Sequence, residues 1–150
     1  MMTASPNDVR FANDVCLRAH RSNIASLRGV VMKENKLVEL SMDFSVDIIN
    51  FVKYLKSNHE TIIANQIGRS GTSIGANINE TQYAQGTKDF ISKFGIALKE
   101  ASEAGYWLEL LYRPKYIDEQ TFKTLSSKCT SLRVMVIASC KTVKDKESKK

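Results

Sequence analysis

With 150 residues, 43% of them hydrophobic, the chain suffices for one ordinary core and is short for two. Two prolines and seven glycines leave long stretches free of helix breakers, and no apolar run approaches the roughly 20 residues of a membrane span. The formal charge of +6 lies at the ends: residues 1–33 carry +3 and residues 141–150 another +3, so residues 34–140, with 12 basic and 12 acidic side chains, are neutral. This pattern predicts a globular, cytoplasmic protein and confines any general attraction to phosphates to the termini or to local patches.

Residues Val9 to Val31, within an N-terminal stretch of 1–31, are rich in arginine and poor in acids, superficially like a targeting peptide, but lack a continuous hydrophobic region. They read as an extension. A first helix is predicted from Glu34 to Lys56, where Leu37, Leu40, Phe44, Ile48, Phe51 and Leu55 recur at spacings of 3 and 4. Beside this row runs a second, Val38, Met42, Val46, Ile49 and Val52, which makes the apolar surface wider than one core requires. Either the helix sits deep in the molecule or its second row meets another subunit.

Ser57 and Glu60 have the spacing of a capping box, which predicts a second helix from there to about Tyr83, with Ile63, Ile67, Ser70, Ile74 and Ile78 inward. Its small residues, Gly68, Ser70, Gly71, Ser73, Gly75 and Ala76, suit the close approach of a neighbouring helix. Gly86 followed by Thr87 reads as a stop and an N-cap. Helix three follows, with Phe90, Phe94, Ala97, Ala101, Ala104, Leu108 and Leu111 alternating spacings of 4 and 3, and Pro114 ends it. Asp118 can cap a fourth helix, whose row is Phe122, Leu125, Cys129, Leu132, Val136, Cys140 and Val143. The remaining residues, 144–150, read as a fraying end and a basic tail. The short connections imply an all-α, antiparallel up-down-up-down four-helix bundle over residues 32–143.

The chemistry-bearing residues are few. Cys16, Cys129 and Cys140 are odd in number and have no metal-binding spacing, which points to a reducing compartment, and Cys129 and Cys140, on the apolar side of the fourth helix, read as buried thiols. The only histidines are His20 and His59, so neither a Glu-x-x-His metal site nor a histidine-activated serine is expected, and no cofactor is implied. GRSGTSIG lacks the lysine and the preceding strand of a phosphate-binding loop. Catalytic residues are therefore not expected.

Arg69, Ser73, Asn77 and Glu80 share one helical face, and Glu100, Glu103 and Trp107 share a face of the next helix. Two readings are open: a ligand site, or an interhelical network that fixes register. Lys53, Lys56, Arg113 and Lys115, near helix ends, are candidates for phosphate contact, with a solvated face or the helix dipole as the plainer explanation. Tyr106, Trp107 and Tyr112 suit base stacking, a core or an oligomer interface.

RSGTSIGANINE, KDFISKFGIALKEASEAGYWLELL and the opening MKENKLVELSMDFSVDIINF resemble the bacterial four-helix bundle proteins encoded in 23S rRNA intervening sequences, over about residues 32 to 140. The resemblance implies a homopentamer, and kinship with accessory proteins of diversity-generating retroelements, which bind nucleic acid and a reverse transcriptase. By position, Arg69, Ser70, Ser73, Asn77 and Glu80 correspond to the family's motif, as do Phe90, Ala97, Glu100, Glu103 and Leu108. Thr81 and Gly105 depart from it. The neutral bundle also differs from the basic retroelement proteins. Met32 looks like a family start, so residues 1–31 are either an appended arm or the product of a misplaced start codon.

The function expected is thus a non-enzymatic, homo-oligomeric scaffold that takes RNA, DNA or a reverse-transcriptase-like protein as partner, with a purely protein-binding module as the alternative. No membrane partner is expected.

Overall fold

A computed structural model describes residues 28–149 of the chain, with side chains from Lys36 onward. Cys16, His20 and the question of the arm before Met32 lie outside the described residues. Four α-helices follow one another: α1 Arg28–Ser57, α2 Ile62–Glu80, α3 Thr87–Tyr112 and α4 Glu119–Glu147, with one turn of 3-10 helix at Thr81–Tyr83. Residues Glu34–Lys150 form one compact unit.

Side-chain pairs fix the direction of each helix within that unit. A Cβ added at Gly68 of α2 would meet Val52 of α1, at Gly71 it would meet Ile48, and at Gly75 it would meet Ser45 and Ser41, so numbers rise along one helix as they fall along the other. Likewise Glu80 pairs with Lys93 and Arg69 with Glu103 between α2 and α3. Between α3 and α4, Tyr112 stacks on Phe122 and Ala101 accepts from Cys129. Successive helices are therefore antiparallel. Lys128 of α4 reaches Asp47 of α1, which places the last helix beside the first.

The core is apolar and continuous, with Phe44, Ile48, Ile67, Ile74, Phe94, Leu108, Leu132 and Val136 all buried. In α1 the inward row runs through Leu37, Ser41, Phe44, Ile48, Phe51 and Leu55, with Leu40 only half-buried. Serine replaces the expected leucine for a steric reason: a Cβ on Gly75 would stand 3.2 Å from the Ser41 carbonyl oxygen, so the two backbones nearly touch and leave no room for a longer side chain. The Ser41 hydroxyl donates to Val38 O at 2.7 Å, which satisfies it inside its own helix.

Several helix ends differ from the expected ones. α1 begins at Arg28 rather than Glu34, and it continues through Ser57. No capping box forms, because the Ser57 hydroxyl turns back to donate to Tyr54 O, while Glu60 Oε1 alone accepts from Ile63 N at 2.8 Å. The turn is closed instead by His59 in the left-handed region (φ 64°), with Glu60 N donating to Leu55 O and His59 N to Lys56 O. This pairing is the Schellman motif, usually built on glycine. α3 ends in the same way: Lys115 has φ 62°, Tyr116 N donates to Leu111 O and Lys115 N to Tyr112 O.

α2 stops at Glu80, and the expected stretch to Tyr83 tightens into a 3-10 turn whose Thr81 hydroxyl donates to Ile78 O. Gly86, not Thr87, occupies the N-cap of α3, where Asp89 Oδ2 accepts from Gln85 N at 3.1 Å. Asp118 does cap α4, accepting from Thr121 N at 2.7 Å and from the Thr121 hydroxyl at 3.0 Å. α4 runs to Glu147 rather than fraying after Val143. Lys144 and Lys146 in its last turn suit the negative end of the helix dipole.

Candidate functional site

The α2–α3 seam holds most of the motif. Arg69 Nη2 stands 3.5 Å from Glu103 Oε1, and the same oxygen accepts from Trp107 Nε1 at 3.2 Å. A helix-to-helix ion pair thus orients the indole. Asn77 Nδ2 donates to Ser73 O at 2.9 Å and to Ser73 Oγ at 3.2 Å, within one helix. Glu80 turns to Lys93, and this pairing raises the Lys93 pKa above its ordinary value, chiefly through the hydrogen bond to Glu80. Lys93 is a partner that the reading of the motif missed. The antiparallel hairpin around Gly86 was the available signal, since it brings residue 80 level with residue 93.

Ser70 stands apart from the other motif residues. It is fully buried, on the inward row, and its hydroxyl donates to Gln66 O at 3.0 Å. Glu100 is half-buried and makes no ion pair among the described residues. No buried side-chain nitrogen or oxygen among the described residues lacks a hydrogen-bond partner. Two ion pairs, Arg69–Glu103 and Glu80–Lys93, thus tie α2 to α3, while the serines and Asn77 are satisfied within α2.

The four candidate phosphate contacts come together at one end of the bundle. Lys53 and Lys56 lie in the last turns of α1, and Arg113 and Lys115 at the end of α3. The Tyr116 hydroxyl donates to Asn58 O at 3.4 Å and joins the two turns. At the α3–α4 turn lies a cleft of about 570 Å³, lined by Tyr54 of α1 and by Tyr112, Arg113, Lys115, Tyr116 and the acids Asp118 and Glu119, among others. Arg113 is paired with Glu109 at 3.2 Å, whereas Lys53, Lys56 and Lys115 form no ion pair among the described residues.

A family model described as 23S rRNA-intervening sequence protein matches residues 33–138, which include every residue of the seam and of the cation-bearing end. The chain belongs to that family. A solved structure from Bacteroides thetaiotaomicron VPI-5482, described as a protein of unknown function from the S23 ribosomal protein family, is 44% identical to this chain. The match covers 73% of this chain and 98% of that one, with a TM-score of 0.71. No curated protein matches. Family membership therefore establishes the fold of a 23S rRNA-intervening sequence protein, while its chemistry has to be read from the side chains.

Several of the groups that could react are buried or held by hydrogen bonds within the fold. Ser70 and Ser73 make their hydrogen bonds to groups of α2 itself, and no group of three His, Cys, Asp or Glu among the described residues has the arrangement of a metal site. Cys129 is buried, donates to Ala101 O at 3.4 Å, and has its thiol pKa pushed by burial from 9.0 up to about 11, the opposite of an activated nucleophile. Burial also raises Cys140. No described helix is long and apolar enough to cross a membrane.

Proposed function

We propose that this member of the 23S rRNA-intervening sequence family is a non-enzymatic scaffold that assembles with copies of itself, as a pentamer in the form the resemblance implies. Its cation-bearing end then serves as the contact for nucleic acid. The observation that carries this reading is the second row of α1: Met42, Val46 and Ile49 are 60%, 49% and 48% exposed in the single chain. A row of large apolar side chains at helical spacing is costly in water and gains about 25 cal/mol per Å² when another surface covers it.

Sedimentation velocity on the full chain tests the assembly. A species several times the 16.9 kDa chain mass is expected, and a monomer at micromolar concentration would overturn the reading. For the nucleic-acid part, titration of a structured RNA at two salt concentrations should give binding that weakens with salt. Replacing Lys53, Lys56 and Lys115 together by glutamine should lower the salt slope.

The neutrality of residues 34–140 favours a second reading, a module that binds only protein, such as a reverse-transcriptase-like partner. It predicts a co-purifying protein and an ultraviolet absorbance free of nucleic acid. The first reading predicts nucleic acid in the native preparation.

A further inference from the structure

α3 contains two glycines that its own chain does not require. A Cβ added at Gly95 or at Gly105 would meet no atom within 4 Å, and glycine is the poorest helix former after proline. Gly105 lines a groove of about 650 Å³ between α3 and α4, together with the buried Ala101 and Cys129, with Ser126, and with the larger Tyr106 and Phe122. Leu110 adds apolar surface, and Arg133 stands in the same lining without an ion pair among the described residues. At Gly105 the missing side chain lets the backbone of another helix come close.

α1 carries a ridge of matching character. Met42, Val46 and Ile49 step by 4 and 3, and the exposed acids Glu39 and Asp43, unpaired among the described residues, flank them. From Glu39 to Ile49 the ridge is about 15 Å long, and the helical stretch of groove from Ala101 to Arg113 about 18 Å. An apolar ridge edged by acids therefore has, on other helices of the same bundle, a groove open at Gly105 that carries Arg133 beside the Arg113–Glu109 pair. Ridge against ridge would leave the open face of Gly105 without a reason.

We propose that the α1 ridge of one copy seats in the α3–α4 groove of a second copy, head to tail, an inference that rests on the self-assembly reading above. Such a contact is heterologous: each copy offers a ridge to one neighbour and a groove to another.

The test uses two full-length variants, Val46→Lys for the ridge and Gly105→Gln for the groove. Both positions are open in the single chain, so circular dichroism should show unchanged helicity. Each variant alone should assemble at least about thirtyfold more weakly than the parent, the loss expected of one central contact. Mixed together, they should form a dimer of one copy of each, because the Val46→Lys chain retains its groove and the Gly105→Gln chain its ridge. If the parent is monomeric, the self-assembly reading fails and takes this inference with it. If the parent assembles but Gly105→Gln assembles equally well, or if the mixture does not pair, the head-to-tail contact alone is overturned. A parent that associates only with a foreign protein overturns it too.

Discussion

The glycines of α2 and those of α3 are the same residue in the same kind of element, yet they stand in opposite surroundings. A Cβ on Gly71 would lie 2.8 and 2.9 Å from two carbons of Ile48, and one on Gly75 would lie 2.6 Å from Ser45 Oγ, so the glycines of α2 are taken up by its contact with α1. Gly95 and Gly105 face open space. A small residue in a helix is thus not by itself a sign of internal packing. What it faces decides whether it serves the fold or leaves room for something outside the chain.

Substitutions can break or sharpen that contrast. The largest effect is expected at Gly71→Leu, because the Ile48 carbons in the way branch from a stiff β-position and cannot swing aside. A loss of about 3 kcal/mol in urea unfolding is expected, less a small gain in helix propensity. A neutral result would mean that α1 and α2 are not in close contact.

Next comes the floor of the α3–α4 groove. Burial holds the Cys129 thiol at about 11 against 9.0 when unfolded, so the folded state keeps the proton more tightly. Stability from this group is fully present below about pH 9 and declines as the pH rises toward 11, by about 2 to 3 kcal/mol in all. Cys129→Ala should flatten that part of the pH–stability curve, and an unchanged slope would show that water already reaches the groove floor.

Gly105→Ala, measured with Val46→Lys present so that the chain stays single, should raise stability by up to about 1 kcal/mol. Loss of stability there would place Gly105 in an internal contact after all. The smallest effect is expected at Asp118, whose carboxyl is held below its ordinary 3.8 chiefly by the Thr121 backbone N–H. A depressed folded pKa stabilises above the unfolded value and is lost as the pH falls through the folded one. Asp118→Ala should accordingly lower the melting temperature at neutral pH, and the gap to the parent should narrow in acid.

Most of the fold was legible from spacing, because rows such as Phe94, Ala97, Ala101, Ala104, Leu108 and Leu111 can be buried together only on one side of a helix. Helix ends were harder to read. Ser57 and Glu60 have a capping spacing, but a left-handed His59 lies between them, and that conformation leaves no trace in composition. Leu40 was preferred to Ser41 by hydrophobicity alone, since the closeness of Gly75 is a tertiary fact. The seam was half legible: Arg69 pairs with Glu103, which also accepts from Trp107 of its own helix, while Glu100 pairs with none of the described residues and Glu80 goes to Lys93. The Lys128–Asp47 pair, 81 residues apart, had no local signature.

Trp107 gives this molecule a built-in optical probe. It is the sole tryptophan, and its indole N–H rests on the carboxylate that Arg69 of the neighbouring helix also engages. Emission from the unlabelled chain therefore reports on one seam at a known place. A wavelength shift would register any separation of α2 from α3.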